Sequence, residues 1–379
     1  MDTDSAGECI RVALCHMDIG DVEWGGICTL YKNLALVLND LGADVHIISA
    51  REISMPSRIT THRINLTSVG PPFTADTDTL SVQRDAQLLH AYSQHVANLI
   101  NTIDPDVAEC STWAYELLSY ATKKRRRTSV VVRADLSART MGATALEDGE
   151  YNLLRFCDCN IFTSRYARRD IFASYGVSNG PVIHLGVSPS RVGSTNALVD
   201  RDERSPRAVG QGDKQVRIVW VGKGTKMKGY DILADIITQS PPSMEFILVM
   251  GHAHCEYEPI NSPNVSIVHD LNREDYWNLL RSADVFLSTS RWEGFGLAPL
   301  EAMSVGLPVV LPVSLWAVQE FARPGRESLI YSKPSDAIEQ LLRGADSLSL
   351  GANAKRRAAK FSWIRTGQRT MEVYRQLRC

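Results

Sequence analysis

Val285-Phe286-Leu287-Ser288-Thr289-Ser290-Arg291-Trp292-Glu293-Gly294-Phe295-Gly296-Leu297-Ala298-Pro299-Leu300-Glu301-Ala302-Met303 runs from a short apolar strand, through a loop with two glycines, into a helix. Pro299 fits there because the first helical turn has no internal acceptor for its missing N–H. Strand, tight loop and helix make half of a βαβ unit, and the same alternation recurs outward in both directions. Val216-Arg217-Ile218-Val219-Trp220-Val221, Phe246 to Met250, Val265 to Val268 and Pro308 to Leu311 read as further strands of the second half. In the first half Ile10 to Cys15, Val45 to Ile48, Asp106 to Ala108, Ser129 to Arg133, Ile161 to Thr163 and Val182-Ile183 read likewise. Cys28 to Leu41 and Leu88 to Ile103 are the clearest helices, the first with Leu30, Leu34, Leu38 and Leu41 at helical spacing and Gly42 as its stop. Near-continuous apolar strands alternating with helices define an α/β chain with parallel, doubly wound sheets.

From Ser190 to Gln215 the apolar period dissolves into Gly, Ser, Asn, Asp and Arg, so residues 191–214 read as a linker. At 379 residues the chain exceeds what one core organises, and two domains of ordinary size follow. Ligands of such sheets bind beyond the carboxyl ends of the strands, which makes the crevice shared by two sheets the expected site. The composition, 44% hydrophobic and 22% charged, is that of a globular protein. A net charge of −2 gives no global attraction to nucleic acid. The basic run Lys123 to Arg127 reads as a solvated helix end, with a polyanion contact as the alternative. Met1 to Glu8 lacks an apolar leader core, and no stretch approaches the roughly 18 apolar residues of a membrane span, so a cytoplasmic protein is expected. The eight cysteines lack paired metal spacing and read as reduced thiols; Cys157-Asp158-Cys159 reads as packing, and His252, His254 and Cys255 as a loop rather than a zinc site.

Chemistry concentrates on the loops after strands. The N-terminus of the helix at Leu297 is a place for an anion such as a diphosphate, and Gly294 and Gly296 let a ligand approach the backbone. Glu293 on the loop and Glu301 within the helix would accept bonds from hydroxyls at two points of one extended ligand; a turn with a capping glutamate is the plainer alternative. Gly222-Lys223-Gly224-Thr225-Lys226-Met227-Lys228-Gly229 places three lysines after a strand, where they would neutralise a leaving diphosphate. It lacks the third spaced glycine and the later acidic residue of a dinucleotide fingerprint. Asp18, Asp21, Glu23 and Trp24 lie in the first loop, which reads as a solvated acidic turn or as the lining of a pocket for a cationic, amine-bearing acceptor.

The E-x7-E pattern of Glu293 and Glu301 within an EGFG segment resembles the GT4 family of retaining GT-B glycosyltransferases. So do Gly25-Gly26, Val219 to Leu233 and the Phe361-Ser362-Trp363 helix start. The resemblance implies a GT-B fold with an acceptor-binding domain over 1–190, a nucleotide-sugar-binding domain over 215–362, and a last helix, 363–379, crossing back to the first domain. It implies that Glu293 with the amides of Gly294, Phe295, Gly296 and Leu297 engages the donor sugar, that Glu301 binds the ribose, and that Lys223 and Lys228 stand where family members use an arginine and a lysine. Gly25 and Gly26 fall beside the donor phosphate, and the base is expected against backbone near Leu271. The family histidine after the strand 129–132 is absent, with Arg133 or Asp135 as substitutes or as a strand-end ion pair.

The implied reaction is hexosyl or amino-hexosyl transfer from a nucleotide sugar, a UDP-sugar favoured, to a hydroxyl of a small acceptor, with retention. No metal and no cofactor beyond the co-substrate are called for. Asp2-Thr3-Asp4 and Asp76-Thr77-Asp78 match the metal string of a GT-A enzyme but follow no convincing strand. Arginine outnumbers lysine 31 to 10. With the acidic loop, that suggests an aminocyclitol acceptor in aminoglycoside-type antibiotic biosynthesis; assembly of a surface polysaccharide or glycolipid, and a non-catalytic sugar-nucleotide binder, are the alternatives.

Overall fold

The computed structural model describes residues 9–21, 25–65, 79–187, 215–251, 255–269 and 271–378. The chain divides into two compact units, Met1–Gly186 with Trp363–Cys379, and Val187–Ser362. Residues 191–214, read as the linker, lie outside the described residues, as do Glu23, Trp24, His252, His254 and both Asp-Thr-Asp strings.

The first unit begins with β1 (Arg11–Cys15), α1 (Gly26–Asp40), β2 (Asp44–Ser49), β3 (Ile59–Arg63), α2 (Thr79–Ile103), β4 (Val107–Ser111) and α3 (Leu118–Ala121). It continues with β5 (Ser129–Ala134), α4 (Ala138–Met141), α5 (Glu147–Phe156), β6 (Cys159–Phe162) and α6 (Arg165–Tyr175). The strands form one sheet in the order β3-β2-β1-β4-β5-β6, parallel throughout, with Val12 opposite both Val45 and Val107. Val12 to Cys15 and Val130 to Val132 are fully buried, which is why those runs are apolar without alternation. Val182-Ile183, expected as a strand, makes one isolated bridge from Val182 to Phe162. Its neighbour Pro181 has no N–H to extend a ladder.

The second unit comprises β7 (Val216–Gly222), α7 (Tyr230–Gln239), β8 (Met244–Met250), β9 (Val265–His269), α8 (Arg273–Ser282) and β10 (Val285–Leu287). After these come α9 (Leu297–Ser304), β11 (Val309–Pro312), α10 (Trp316–Gln319), β12 (Ser328–Tyr331), α11 (Pro334–Ala345) and α12 (Leu348–Ala358). Its order is β12-β11-β10-β7-β8-β9, again all parallel. Both sheets therefore reverse direction between their first and fourth strands, and ligands of such sheets bind outside the carboxyl ends at that reversal.

The last helix, α13 (Trp363–Arg378), belongs to the first unit. Gly367 lets it approach α1 closely, since a Cβ there would stand 2.3 Å from Val37 Cγ1. Tyr374 donates to Glu109 Oε2 at 2.6 Å, and Arg133 reaches Thr370 Oγ1 at 3.1 Å. Among the described residues no helix is long and apolar enough to cross a membrane.

Candidate active site

In the second unit the loops leaving β7 and β10 are bonded to each other. Trp220 Nε1 donates to Thr289 Oγ1 at 2.9 Å, and that hydroxyl donates to the carbonyl of Lys228 at 2.8 Å. The Arg291 amide reaches the Met227 carbonyl at 2.9 Å, while its guanidinium takes both oxygens of Asp231 at 2.7 and 2.6 Å. Gly229 makes the contact feasible. Its φ is +64°, and a Cβ there would lie 2.0 Å from the Thr289 carbonyl oxygen, so only glycine meets both demands.

This bonding delivers Lys228 to Glu293. Lys228 Nζ donates to Glu293 Oε1 at 2.7 Å, Ser290 Oγ donates to the same oxygen at 2.9 Å, and the two charged side chains are 21% and 16% exposed. Lys223 stands half-buried at the start of the same loop, directly after Gly222. Past Glu293 the backbone turns at Gly296, φ +98°, where a Cβ would strike Val318 Cγ2 at 2.6 Å. Leu297 then opens α9, which has no side-chain cap. The Phe295 ring is buried against Phe321 and Phe361 at 5.0 and 6.4 Å between centroids, so only its backbone is suited to meet a ligand.

Glu301 lies in the second turn of α9 and is held from α8. Tyr276 donates to Oε2 at 2.7 Å, and Arg273 donates to Oε1 from both terminal nitrogens at 3.2 Å. The guanidinium rests over the Tyr276 and Trp277 rings at 5.6 and 5.2 Å. Leu271 sits just before Asn272, whose side chain caps α8 by accepting from the Asp275 amide at 2.9 Å. Sequence reasoning missed Arg273 and Tyr276, because nothing in their local pattern ties them to a glutamate 25 residues or more away.

The first unit places its candidates differently. Gly25, φ 143°, precedes α1 and Gly26 opens it. Asp18 is bound by Arg51 at 2.8 and 3.1 Å, and Asp21 accepts from the Ser54 amide and hydroxyl at 2.7 and 2.9 Å, bonds that hold its carboxyl below the usual range. These two carboxylates thus have local partners, which weakens the expectation that they select a cationic acceptor. Arg133 is corrected more firmly. It is 1% exposed and pairs with Glu109 at 2.7 and 3.1 Å, a core ion pair under α13 rather than a substitute for the family histidine. Asp135 accepts from Thr163 Oγ1 at 3.1 Å. In the basic run, Arg126 pairs with Asp158 at 2.8 Å and Lys123 lies 4.9 Å over the Tyr120 ring, as befits a helix end.

A pair unforeseen from sequence sits where this sheet reverses. His16 Nδ1 and Glu116 Oε1 are 2.6 Å apart, both buried, and the Met17 amide donates to the same oxygen at 3.2 Å. Burial works against the imidazolium, but the Glu116 carboxylate and Cys28 outweigh it and lift His16 to about 10.

Residues 24–191 match the family described as Glycosyltransferase Family 4, and residues 201–360 the one described as Glycosyl transferases group 1. Two doubly wound domains bearing these matches give the chain the GT-B fold. Together the two matches support a glycosyltransferase of GT4 type. The chain is 27% identical over 197 residues to D-inositol 3-phosphate glycosyltransferase of Corynebacterium urealyticum, 46% of each chain. The chain spans between about a quarter and about a half of the length of the curated relatives it matches first. Its fold is shared with sucrose-phosphate synthase from Thermosynechococcus elongatus, TM-score 0.74 at 19% identity over 97% of this chain and 99% of that one. Anabaena Alr3699/HepE in complex with UDP-glucose gives 0.70 at 15% over 97% and 100%.

Proposed function

We propose that the chain transfers a hexose or amino-hexose from a nucleotide sugar, a UDP-sugar before others, to a hydroxyl of a small cyclitol acceptor, with retention of configuration and without a metal. The observation that carries this reading is the 2.7 Å pairing of Lys228 with Glu293, which brings a cation and a carboxylate together at the point of sheet reversal. As the bond from the anomeric carbon to the phosphate oxygen breaks, charge grows on the diphosphate. Lys223, Lys228 and the amides from Gly294 to Leu297 stabilise it, and a group already aimed there needs no reorganisation. Glu293 sets the donor sugar and Glu301 its ribose. The acceptor oxygen enters on the face the leaving group vacates, and the departing phosphate oxygen takes its proton.

The UDP donor is supported by the UDP-glucose named for the Anabaena neighbour, and the cyclitol by the D-inositol 3-phosphate named for the Corynebacterium relative. The local partners of Asp18 and Asp21 favour a cyclitol without an amine over the aminocyclitol of an antibiotic pathway. Thermal-shift titration with UDP, GDP and dTDP tests the donor, with UDP expected to raise stability most. Turnover of UDP-glucose with myo-inositol and inositol 3-phosphate, with product configuration read by NMR and EDTA present, tests the rest. An inverted product, or transfer abolished by EDTA and restored by Mn²⁺, refutes the mechanism.

A further inference from the structure

We infer that the amino-terminal edge of the first sheet is a docking surface for an anionic phospholipid bilayer, formed by the cations of residues 123–127 and 155 with Phe156 among them. The inference goes beyond the proposed transfer reaction and does not depend on it.

The edge is assembled from segments far apart in sequence. The amide of Ser129, which opens β5, donates to the Asp106 carbonyl at 3.0 Å, and the Asp158 amide, one residue before β6, donates to the Val130 carbonyl at 2.8 Å. The segment between α3 and β5, the end of α5 and the start of β6 therefore meet at one end of the sheet. Arg126 ties them together, donating to both oxygens of Asp158 at 2.8 and 2.9 Å and to the Phe156 carbonyl at 3.3 Å. The helix α13 ends at the same place, with Ser129 Oγ donating to the Leu377 carbonyl at 3.2 Å and Arg378 lying 3.2 Å from Asp106.

Charge here is one-sided. Lys123, Lys124, Arg125, Arg127 and Arg155 are all exposed. Arg127 is 3.8 Å from Asp104 yet remains 89% exposed, while Lys124, Arg125 and Arg155 have no acidic partner among the described residues. The carboxylates of Asp106 and Asp158 are already engaged by Arg378 and Arg126. One cation at the end of α3 and one at the end of α5 suit the helix dipoles; Lys124, Arg125 and Arg127 exceed that need. Beside them Phe156 is 45% exposed, with the Arg155 guanidinium 6.0 Å over its ring.

A cluster of lysines and arginines is drawn to the negative potential of an anionic leaflet, and a neighbouring exposed ring is buried at the headgroup boundary. A single-stranded nucleic acid would need a series of rings on which to stack its bases, and Phe156 is the one exposed ring among the described residues of this edge. A protein partner would need its acids in register with these side chains, whereas mobile headgroups match cations at any spacing. The strands β4 and β5 are five and six residues long, so about 17–20 Å separates this edge from their carboxyl ends, beyond which ligands of such sheets bind. Lys228 and Glu293 belong to the other unit. Docking therefore uses none of the groups proposed for transfer.

The test is flotation of the full chain with vesicles of phosphatidylcholine alone and of equimolar phosphatidylcholine and phosphatidylglycerol, at low and at high salt. The wild type is expected to float with the mixed vesicles only, and to be released as salt rises. Each lysine or arginine near such a surface changes partitioning about fivefold, so Lys124→Gln, Arg125→Gln and Arg155→Gln combined should weaken binding about 100-fold. Phe156→Ala should weaken it about fivefold and keep the salt dependence. In both variants kcat/KM for soluble substrates should stay within about twofold of wild type. The three cations pair with no acid, so the triple variant is expected to fold; should it not, the wild type decides, since a chain indifferent to phosphatidylglycerol overturns the inference. A folded triple variant that floats as the wild type does overturns it too. So does a single-stranded oligonucleotide that binds the chain more tightly than the mixed vesicles do, which would make this edge a nucleic-acid surface. Turnover on soluble substrates lost together with lipid binding would place these residues in the reaction and likewise refute the proposal.

Discussion

Replacing Lys228 by Met and Glu293 by Gln, singly and together, tests whether the cation and the carboxylate act as one unit. At the 2.7 Å separation of Lys228 Nζ and Glu293 Oε1 the pair is in direct contact. An effective dielectric of about 20 gives about 4 kcal/mol for charges some 4 Å apart, but about a fifth of each side chain meets water. Exposed pairs contribute about 0.2–1 kcal/mol, and breaking a buried one costs about 3–5 kcal/mol. A coupling of about 1–2 kcal/mol is therefore expected. Each single change should lower kcat/KM by about 10²–10³, the scale on which one preorganised stabilising group acts. The double variant should then be about 5- to 30-fold more active than the product of the two losses predicts. The assay is kcat/KM for UDP-glucose across the four proteins, with thermal unfolding as a check that all four fold. Effects on kcat/KM that add within about 0.5 kcal/mol would mean that the two groups work independently. The pairing could then not be what prepares the leaving-group site.

Three further outcomes follow from geometry. Gly229→Ala should destabilise the second unit by at least about 3 kcal/mol, combining the roughly 1–2 kcal/mol cost of a left-handed alanine with a Cβ 2.0 Å from the Thr289 carbonyl; an unchanged urea midpoint would show that the two loops do not meet there. Glu150 accepts from the Ala138 amide at 2.7 Å and the Tyr175 hydroxyl at 2.5 Å, yet burial lifts its carboxyl from 4.5 to about 7. Because its folded value lies above the unfolded one, the stability it contributes is complete below about pH 4.5 and is lost as pH rises through 7, by up to about 3 kcal/mol. Glu150→Gln should flatten the melting temperature between pH 4.5 and 8, and a profile identical to wild type would refute the assignment. Tyr374→Phe removes the bond to Glu109 Oε2 in a buried ion pair and should cost about 1.5–3 kcal/mol in chemical denaturation of the first unit; a loss below about 0.5 kcal/mol would show that this bond does not help to hold α13.

Much of this architecture could be read from sequence because parallel strands buried on both faces cannot hide. Val12 to Cys15, Val130 to Val132 and Phe246 to Met250 are apolar for that single reason. The strands that escaped notice lie at sheet edges. Ile59-Thr60-Thr61-His62-Arg63 pairs on one side only, exposes most of its side chains, and so carries no apolar signal. Ser328 to Tyr331, at the other sheet's edge, is four residues long. The same division holds for the site. Glu293, Glu301 and Lys228 announce themselves by spacing next to strands and glycines. Arg273 and Tyr276 reach Glu301 only through side-chain bonds between α8 and α9, which leave no trace in either local pattern. Arg133 shows the converse: a charged residue at a strand end reads as functional until its partners Glu109 and Thr370, from β4 and α13, are known.

The two sheets share one strand order, yet the residues at their reversal points serve different ends. In the second unit Lys228 and Glu293 keep part of their surface in contact with solvent, so a ligand can compete for them. In the first, His16 and Glu116 are 3% and 0% exposed and pair through Nδ1 and Oε1, the oxygen that also accepts from the Met17 amide. Tyr115, immediately before Glu116, adopts φ 38°, a left-handed conformation that a tyrosine keeps only when its surroundings impose it. The imposing contact is visible: the Tyr115 ring lies against Gly149, where a Cβ would come within 2.7 Å of it. This pair is closed off from solvent and fixes where the loop after β1 begins.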